Sequence, residues 1–231
     1  MSHLILLLML KLSVLSMISS FQKLFDNGMI CASEQAAIVD AAIYDEVKAE
    51  FEAHQCVIIS KKADIAKLEK VVLNEARTAV NGAIVGHSAI EIAEKAGLKV
   101  PAGTKLLLAE IPDATMEHPL ALEKLSPVLA LIKSDGVEDG FKKAEGMLNL
   151  GGIGHTAVIH TENEELQLQY CIRMKACRVL VNSPSAEGGI GNIYNNMIPS
   201  LTLGCGSHGH NSISHNVSSF DLLNVKTLSK R

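Results

Sequence analysis

Short apolar runs alternate with longer amphipathic segments along most of this chain of 231 residues. The runs are of strand length, whereas the longer segments place apolar residues three and four positions apart, which is the helical period. Predicted strands cover Ala36–Asp40 and residues 56–60, 105–110, 128–133, 155–160 and 177–182. Predicted helices cover residues 43–54, 61–79, 88–97, 137–150 and 162–175. Because strands and helices alternate, the pattern predicts an α/β fold with a mostly parallel sheet.

Both ends of the chain depart from this alternation. Residues 4–10 read LILLLML, an apolar run too short to span a bilayer, and we expect a helix over residues 1–24. Residues 25–182 carry the alternation and form the predicted α/β domain. Residues 183–231 form a Gly- and Ser-rich segment with little periodicity, and such a stretch in a compact domain is usually functional or depends on another segment of the chain for packing.

Composition and charge exclude several classes of protein. Hydrophobic residues make up 48% of the chain, which is enough for a sizeable core and excludes a disordered chain. The net charge of −4 provides no basic surface, so we expect neither nucleic acid nor a membrane as a partner. The five cysteines are an odd number without a CxxC pair, which favours a reducing, cytoplasmic compartment over a disulfide scaffold.

The first candidate for chemistry is Cys31, in the segment FDNGMICASEQ at residues 25–35. Asp26, Asn27 and Gly28 are a strong turn signal, so we expect Cys31 in a tight connection before a new α/β unit. Backbone N–H groups in such a turn lower the pKa of a thiol, and the thiolate is the reactive species. The alternative is a buried free cysteine that packs as a small hydrophobic side chain.

Two further segments carry candidate polar side chains. GGIGHTA, at residues 151–157, places His155 at a strand end, where a neutral imidazole can accept a thiol proton. The alternative is a structural, hydrogen-bonded histidine. Glu123, in LEKLSPVLA, precedes a predicted strand, and its carboxylate can accept hydrogen bonds from a ribose. The alternative there is an ordinary glutamate at a helix end.

Together these motifs resemble a known family. FDNGMICASEQ, EKLSPVLA, GGIGHT, SPSAEGGIGNIYN and PSLTLGCGS are similar, in order and spacing, to the aldehyde dehydrogenase half of the bifunctional aldehyde-alcohol dehydrogenases. Those enzymes belong to the CoA-acylating branch of the aldehyde dehydrogenase superfamily. The resemblance covers residues 12–231, which is nearly the whole chain.

The resemblance implies the fold of an aldehyde dehydrogenase catalytic domain, with NAD as cofactor and coenzyme A as co-substrate. It implies that Cys31 is the catalytic nucleophile, that His155 carries protons beside its sulfur, and that Glu123 holds the nicotinamide ribose. The reaction would oxidise a short aldehyde such as acetaldehyde to acyl-CoA, or reduce acetyl-CoA in the reverse direction. The residues that would line the substrate tunnel are Leu203, Gly204, Cys205 and Gly206.

The sequence also departs from the family pattern. In the family a Rossmann-like cofactor domain precedes the catalytic cysteine, whereas Cys31 lies near the start of this sequence, so we expect the chain alone to be inactive with NAD. The alternative function is a truncated remnant that only associates with other subunits, since the family forms homo-oligomers. Zinc-type ligands also cluster near the end of the sequence, but their spacing is not an established zinc pattern and we expect no metal. They are Cys205, His208, His210 and His215.

Overall fold

A single parallel sheet forms the centre of the computed structural model, which describes residues 6–9 and 23–231. Its strands are β1 (Leu6–Met9), β2 (Ala36–Asp40), β3 (Cys56–Ile59), β4 (Leu106–Glu110), β5 (Val128–Ser134), β6 (Gly154–His160) and β7 (Ala176–Val181). Across the sheet they follow the order β3-β4-β5-β2-β1-β6-β7, and each neighbouring pair is parallel. The predicted parallel α/β fold is therefore confirmed.

The described part of the chain contains six α-helices. They are α1 (Tyr44–Ala53), α2 (Lys62–Val72), α3 (Ala89–Lys95), α4 (Val137–Met147), α5 (Glu164–Arg173) and α6 (Ser185–Ile190). The predicted start of α3 is confirmed, because Ser88 and Glu91 form a reciprocal capping box at its amino end. Within residues 6–9 and 23–231, none of the helices combines the length and apolar character that crossing a bilayer requires.

The helix predicted over residues 1–24 is wrong for Leu6–Met9. These four residues are β1, which lies near the centre of the sheet and pairs with β2 and β6. A short continuous apolar run suits a strand covered on both faces as well as it suits a buried helix, and periodicity does not separate the two. Lys23 and Leu24 are helical, and the rest of that prediction lies outside the described residues.

The helix predicted over residues 61–79 is wrong beyond Val72, where α2 ends. Leu73 forms an antiparallel bridge with Val80, so the chain turns back on itself after the helix. The Oδ1 atom of Asn74 accepts a hydrogen bond from the backbone N–H of Thr78 at 2.9 Å. An asparagine side chain that binds backbone N–H groups in this way competes with the helix, which explains the early end.

Alternate residues of the central strands enter two apolar layers, one on each face of the sheet. Ile38 belongs to the layer that contains Phe141 and other residues of the helices α2–α5. Val39 belongs to the opposite layer, with Phe51 of α1 and Ala32 of the loop before β2. Because helices and loops cover both faces, the strands consist of nearly continuous apolar runs, and this is why the sequence pattern revealed them.

The segment after β7 packs on the loop that carries Cys31. It was expected to have little regular structure, but it contains α6, whose Ser185 donates a hydrogen bond from Oγ to the carbonyl oxygen of Ala32 at 2.7 Å. Farther along, Leu203 and Asn216 form an antiparallel bridge. The Gly- and Ser-rich composition therefore hides a segment that is fixed by backbone hydrogen bonds.

Candidate active site

The three predicted site residues lie near the amino-terminal ends of the strands. Cys31 and Glu123 lie in the loops that lead into β2 and β5, which are neighbours, and His155 is the second residue of β6. Only β1 lies between β2 and β6, so these strands are about 10 Å apart. The fold therefore brings the three segments to the end of the sheet that is formed by the amino termini of the strands. Open α/β sheets usually bind ligands at the opposite end, where the strands have their carboxyl termini.

The turn before Cys31 packs directly on the loop that follows Glu123. It is a 3-10 turn, Phe25–Gly28, in which Asn27 adopts φ 49° and donates a hydrogen bond from Nδ2 to the carbonyl oxygen of Gly86 at 2.9 Å. Gly28 has φ +72°, and a Cβ atom there would lie 2.7 Å from the carbonyl oxygen of Ser126. The predicted turn is confirmed, and its glycine is needed for this close approach as well as for the backbone conformation.

Gln35 and Lys124 join the two loops. The Oε1 atom of Gln35 accepts hydrogen bonds from the backbone N–H of Lys124 at 3.1 Å and from Nζ of Lys23 at 3.2 Å. Its Nε2 atom donates to the carbonyl oxygen of Ser33 at 3.0 Å, and Nζ of Lys124 donates to the carbonyl oxygen of Gln35 at 2.9 Å. This clamp fixes the loop of Cys31 relative to the residue that follows Glu123.

Three ionisable side chains in or next to this clamp are fully buried. Burial, and secondly the positive charge of Lys23, hold the pKa of Lys124 well below its usual value, while its Nζ donates to the carbonyl oxygens of Leu120 and Leu122 at 2.7 and 2.6 Å. Burial also lowers the pKa of Lys23 to about 7 and raises that of Glu34 to about 7. Sequence reasoning missed these groups, although Glu34 and Lys124 lie inside the two motifs and Lys23 lies two residues before the first of them.

The environment of Cys31 raises the pKa of its thiol. Burial is the largest cause, followed by the negative charge of Glu123 and by Cys205, while the positive charge of Arg178 and the N–H of Ala32 act in the opposite direction. The expectation of a lowered pKa is therefore wrong, because a single backbone N–H does not compensate for desolvation of the thiolate. Since Cys31 is held as a thiol, its attack on a carbonyl requires a group that takes the proton.

His155 is buried at the start of β6. Only 1% of its surface is exposed, and its Nδ1 atom lies 2.9 Å from Oγ1 of Thr156. The preceding residue, Gly154, has φ +91°, and a Cβ atom there would collide with the carbonyl oxygen of Cys205. The start of β6 thus packs against the segment predicted to line the substrate tunnel.

Arg178, the third residue of β7, is a site residue that the sequence analysis did not predict. It is 3% exposed, and its guanidinium donates to the carbonyl oxygen of His155 at 3.0 Å, to Oγ1 of Thr156 at 3.1 Å and to the carbonyl oxygen of Gly204 at 2.8 Å. Its charge also acts on Cys31. Arg178 therefore connects β6, the segment around Gly204 and the nucleophile loop.

The residues of the predicted tunnel lie beside the site. Leu203 packs against the apolar layer that contains Ala32, and Cys205 is buried. A cavity of about 290 Å³ adjoins Cys177 and Arg178 and is lined on its other sides by residues 196–198 and 214–216. That residues 203–206 line a substrate tunnel stays a prediction.

Of the histidines near the end of the chain, His215 pairs with a carboxylate. Nε2 of His215 lies 2.8 Å from Oδ1 of Asp221. In the part of the chain that the structure describes, no group of three or more His, Cys, Asp or Glu side chains is arranged to hold a metal ion. Cys205, His208, His210 and His215 therefore do not form such a group.

Comparison with known proteins gives a consistent set of relatives, although no protein-family model matches the chain. Over 216 residues, or 90% of this chain, it is 49% identical to the aldehyde-alcohol dehydrogenase of Streptococcus pneumoniae. Over 226 residues, or 96% of this chain, it is 44% identical to the bifunctional aldehyde-alcohol dehydrogenase of Escherichia coli. These matches cover 24% and 25% of the two relatives, so the chain spans about a quarter of their length.

Solved structures agree with these relatives. An acetylating aldehyde dehydrogenase from Geobacillus thermoglucosidasius superposes with a TM-score of 0.89 at 34% sequence identity. The match covers 99% of this chain and 52% of that one. The predicted catalytic-domain fold of an aldehyde dehydrogenase is therefore confirmed.

Proposed function

Because the chain is homologous to the acetylating aldehyde dehydrogenase region of the aldehyde-alcohol dehydrogenases, we propose that it carries the thioester-forming site of an NAD-dependent, CoA-acylating aldehyde dehydrogenase. The substrate would be a short aldehyde such as acetaldehyde, and the reverse reaction would reduce acetyl-CoA. The observation that carries the proposal is the clamp of Gln35 and Lys124, which fixes the loop of Cys31 against the loop of Glu123.

The chemistry proposed for Cys31 follows from its environment. Its Sγ atom bonds to the carbonyl carbon of the aldehyde and gives a thiohemiacetal, while the thiol proton leaves. Burial holds Cys31 as a thiol, so a base is required, and we assign this role to the imidazole of His155. Loss of hydride from the former carbonyl carbon then leaves a thioester on Cys31.

Glu123 fits the role of a ribose ligand. It is half-buried, and its negative charge contributes to the raised pKa of the Cys31 thiol. An ionised carboxylate is a strong acceptor for hydroxyl groups. We therefore assign the nicotinamide ribose to Glu123, and NAD, when bound, accepts the hydride.

Coenzyme A completes the proposed reaction as a substrate. Its thiol attacks the thioester carbon, the sulfur of Cys31 leaves, and the proton of the incoming thiol passes to His155. The tunnel for the aldehyde would be lined by residues 203–206. Two proteins with this fold at 21% identity support these ligands: an engineered glycolyl-CoA reductase holds NADP+, and a propionaldehyde dehydrogenase of Rhodopseudomonas palustris holds propionyl-CoA.

We also propose a cytoplasmic location and a homo-oligomeric state. The five cysteines are free thiols, which suits a reducing compartment. Several apolar side chains near the end of the chain are largely exposed, and such surfaces are typical of association sites. They include Phe220, Leu222, Val225 and Leu228. The same observation favours the second candidate function, a chain that associates with other subunits without catalysing the reaction.

Acyl transfer from acetyl-CoA tests the proposed function without depending on NAD. We expect the chain to acquire an acetyl group on Cys31 and to release one equivalent of coenzyme A, as followed by peptide mass mapping and a thiol assay. Cys31→Ala abolishes the transfer, whereas Cys56→Ala, which removes a buried thiol elsewhere, leaves it unchanged. Acetylation confined to the exposed Cys171, or none at all, would contradict the catalytic proposal and favour the associating chain.

NADH formation from acetaldehyde, coenzyme A and NAD is the second measurement. For the chain alone we expect little NADH even where Cys31 accepts acetyl groups, because Glu123 supplies one ribose contact and a dinucleotide also needs a phosphate site. Robust turnover that disappears in Cys31→Ala would contradict this expectation and would still support the thioester chemistry.

A further inference from the structure

We propose that Thr156 is a positioning residue for His155, whose Nδ1–H donates to the hydroxyl of Thr156 so that the lone pair of the imidazole lies on Nε2. Nε2 is then the atom that takes the proton of a thiol. The inference rests on the proposed role of His155 as a base. Thr156 lies inside the motif GGIGHT, but the sequence analysis gave it no role.

The contact between the two side chains is direct. Oγ1 of Thr156 lies 2.9 Å from Nδ1 of His155, and the two residues are 0% and 1% exposed. Consecutive side chains of a strand point to opposite faces, so regular strand geometry does not by itself produce this contact. The ring of His155 is therefore turned towards the hydroxyl, and because both side chains are buried, bulk water does not compete for it.

Arg178 fixes the position of the hydroxyl from the neighbouring strand. Arg178 and Thr156 are register partners on β7 and β6, and Nε of Arg178 donates to Oγ1 of Thr156 at 3.1 Å. Nη2 of the same guanidinium donates to the carbonyl oxygen of His155 at 3.0 Å. One buried side chain thus holds both the backbone of His155 and the atom that its ring contacts, which the planar fork of donors in arginine allows.

The number of lone pairs limits what the hydroxyl can do. A threonine hydroxyl has one proton to donate and two lone pairs that accept, whereas arginine only donates. Arg178 occupies one lone pair of Oγ1, and in the proposed arrangement the second accepts Nδ1–H of His155. A neutral imidazole carries one N–H and one lone pair, so donation from Nδ1 leaves the lone pair on Nε2.

This arrangement suits a base that takes a proton twice in one reaction cycle. When Nε2 accepts the proton of the Cys31 thiol, both ring nitrogens are donors and the bond from Nδ1 to Thr156 is unchanged. The same holds for the proton of the coenzyme A thiol. In the opposite tautomer Nε2 would already carry a proton, so a further proton could enter only at Nδ1, where the hydroxyl would already donate.

The first test is a nuclear magnetic resonance measurement on the full chain labelled with 15N-histidine, which requires neither NAD nor coenzyme A. Long-range 1H–15N correlations distinguish a protonated ring nitrogen from an unprotonated one. The signals of His155 are identified by their loss in His155→Gln. At about pH 8, above the ordinary histidine pKa of about 6.5, we expect a proton on Nδ1 and none on Nε2.

Two variants of Thr156 separate the hydroxyl from the packing. Thr156→Val replaces the hydroxyl with a methyl group of similar size, so Nδ1–H loses its acceptor and the ring should shift towards the tautomer with its proton on Nε2. Thr156→Ser keeps the hydroxyl and should keep the native tautomer. The second readout is acetyl transfer from acetyl-CoA to Cys31, which should be about tenfold slower in Thr156→Val and mostly restored in Thr156→Ser.

Thr104→Val is the matched control. Thr104 lies in the loop before β4, where its hydroxyl donates to the carbonyl oxygen of Pro101 at 2.7 Å. The variant removes a hydrogen-bonded threonine hydroxyl from another part of the fold. We expect the signals of His155 and the rate of acetyl transfer to be unchanged.

Two outcomes would overturn the inference. One is a native chain in which the proton lies on Nε2 and Nδ1 is unprotonated. The other is a folded Thr156→Val variant, as judged by circular dichroism, with the native signals of His155 and the native transfer rate. If Thr156→Val does not fold, the native spectrum still decides, because it reports the protonated nitrogen directly. A native chain that has Nδ1–H but does not transfer acetyl groups to Cys31 would contradict the proposed function, while the hydrogen bond to Thr156 would stand.

Discussion

Replacement of Lys124 by methionine is the sharpest test of the clamp beneath the nucleophile loop. Methionine has nearly the same length and volume, so the substitution removes the ammonium group while it keeps most of the packing. In the native chain that ammonium donates to the carbonyl oxygens of Gln35, Leu120 and Leu122 at 2.9, 2.7 and 2.6 Å. Three donors therefore meet three acceptors in a fully buried site.

Two opposing effects determine the magnitude. Each carbonyl oxygen that loses its buried donor costs about 1–3 kcal/mol, so three of them cost several kcal/mol. Removal of a buried charge is favourable, and the lowered pKa of Lys124 shows that burial already disfavours the charged form. Loss of one member of a buried charged contact usually destabilises a protein by about 3–5 kcal/mol net. We expect a loss at the lower end of this range, about 3 kcal/mol, because the remaining partners are carbonyl oxygens rather than an ion.

Urea unfolding measures the effect, with circular dichroism as the signal. The matched control is Lys67→Met, because Lys67 lies on the surface of α2 and pairs with Asp64 at 2.8 Å, and we expect no measurable change there. A second readout is alkylation of Cys31, which should become faster in Lys124→Met as the loop loses its anchor at Gln35. The reasoning would be refuted by a variant that unfolds within about 1 kcal/mol of the native chain with an unchanged urea slope.

Three other predictions follow from the same region. Lys23 has a pKa of about 7 in the folded chain and an ordinary value of 10.5 when unfolded, so the unfolded chain binds more protons between these two values. The free energy of unfolding should therefore rise from pH 7 to about 10. Lys23→Met should lower the slope of this rise by about one proton in urea unfolding measured at several pH values, and an unchanged slope would contradict the buried amine. On urea unfolding, the free energy of unfolding should fall by about 2 kcal/mol more in Gly28→Ala than in Gly97→Ala, because both glycines have positive φ but only Gly28, of these two, faces a close carbonyl oxygen. Equal losses in the two variants would show that this contact is unimportant. The exposed Cys171 should react with iodoacetamide before Cys31 at pH 7, and the reverse order by mass mapping would mean that the thiol of Cys31 is more acidic than its burial implies.

Local pattern was enough to predict most of the sheet and the outline of the site. Apolar runs such as Ala36–Asp40 are strands because both faces of the sheet are covered, and the turn at Gly28 forms because its backbone needs positive φ. Both properties depend on residues that follow one another in the sequence. The candidate positions of Cys31, Glu123 and His155 were likewise available from motifs, since each lies beside a strand whose place in the sequence is clear.

Long-range packing decided what the pattern left open. Leu6–Met9 is a central strand because its backbone pairs with β2 and β6, which lie farther along the sequence, and no local period marks such a partner. The sign of the pKa change at Cys31 depends on how deeply the loop is buried and on which charges surround it. Lys124 and Arg178 look like ordinary basic residues in sequence, and only the carbonyl oxygens that converge on them in three dimensions make them part of the site. The burial of a side chain and the set of groups around it depend on segments that are distant in sequence, which is why only the tertiary structure determined them.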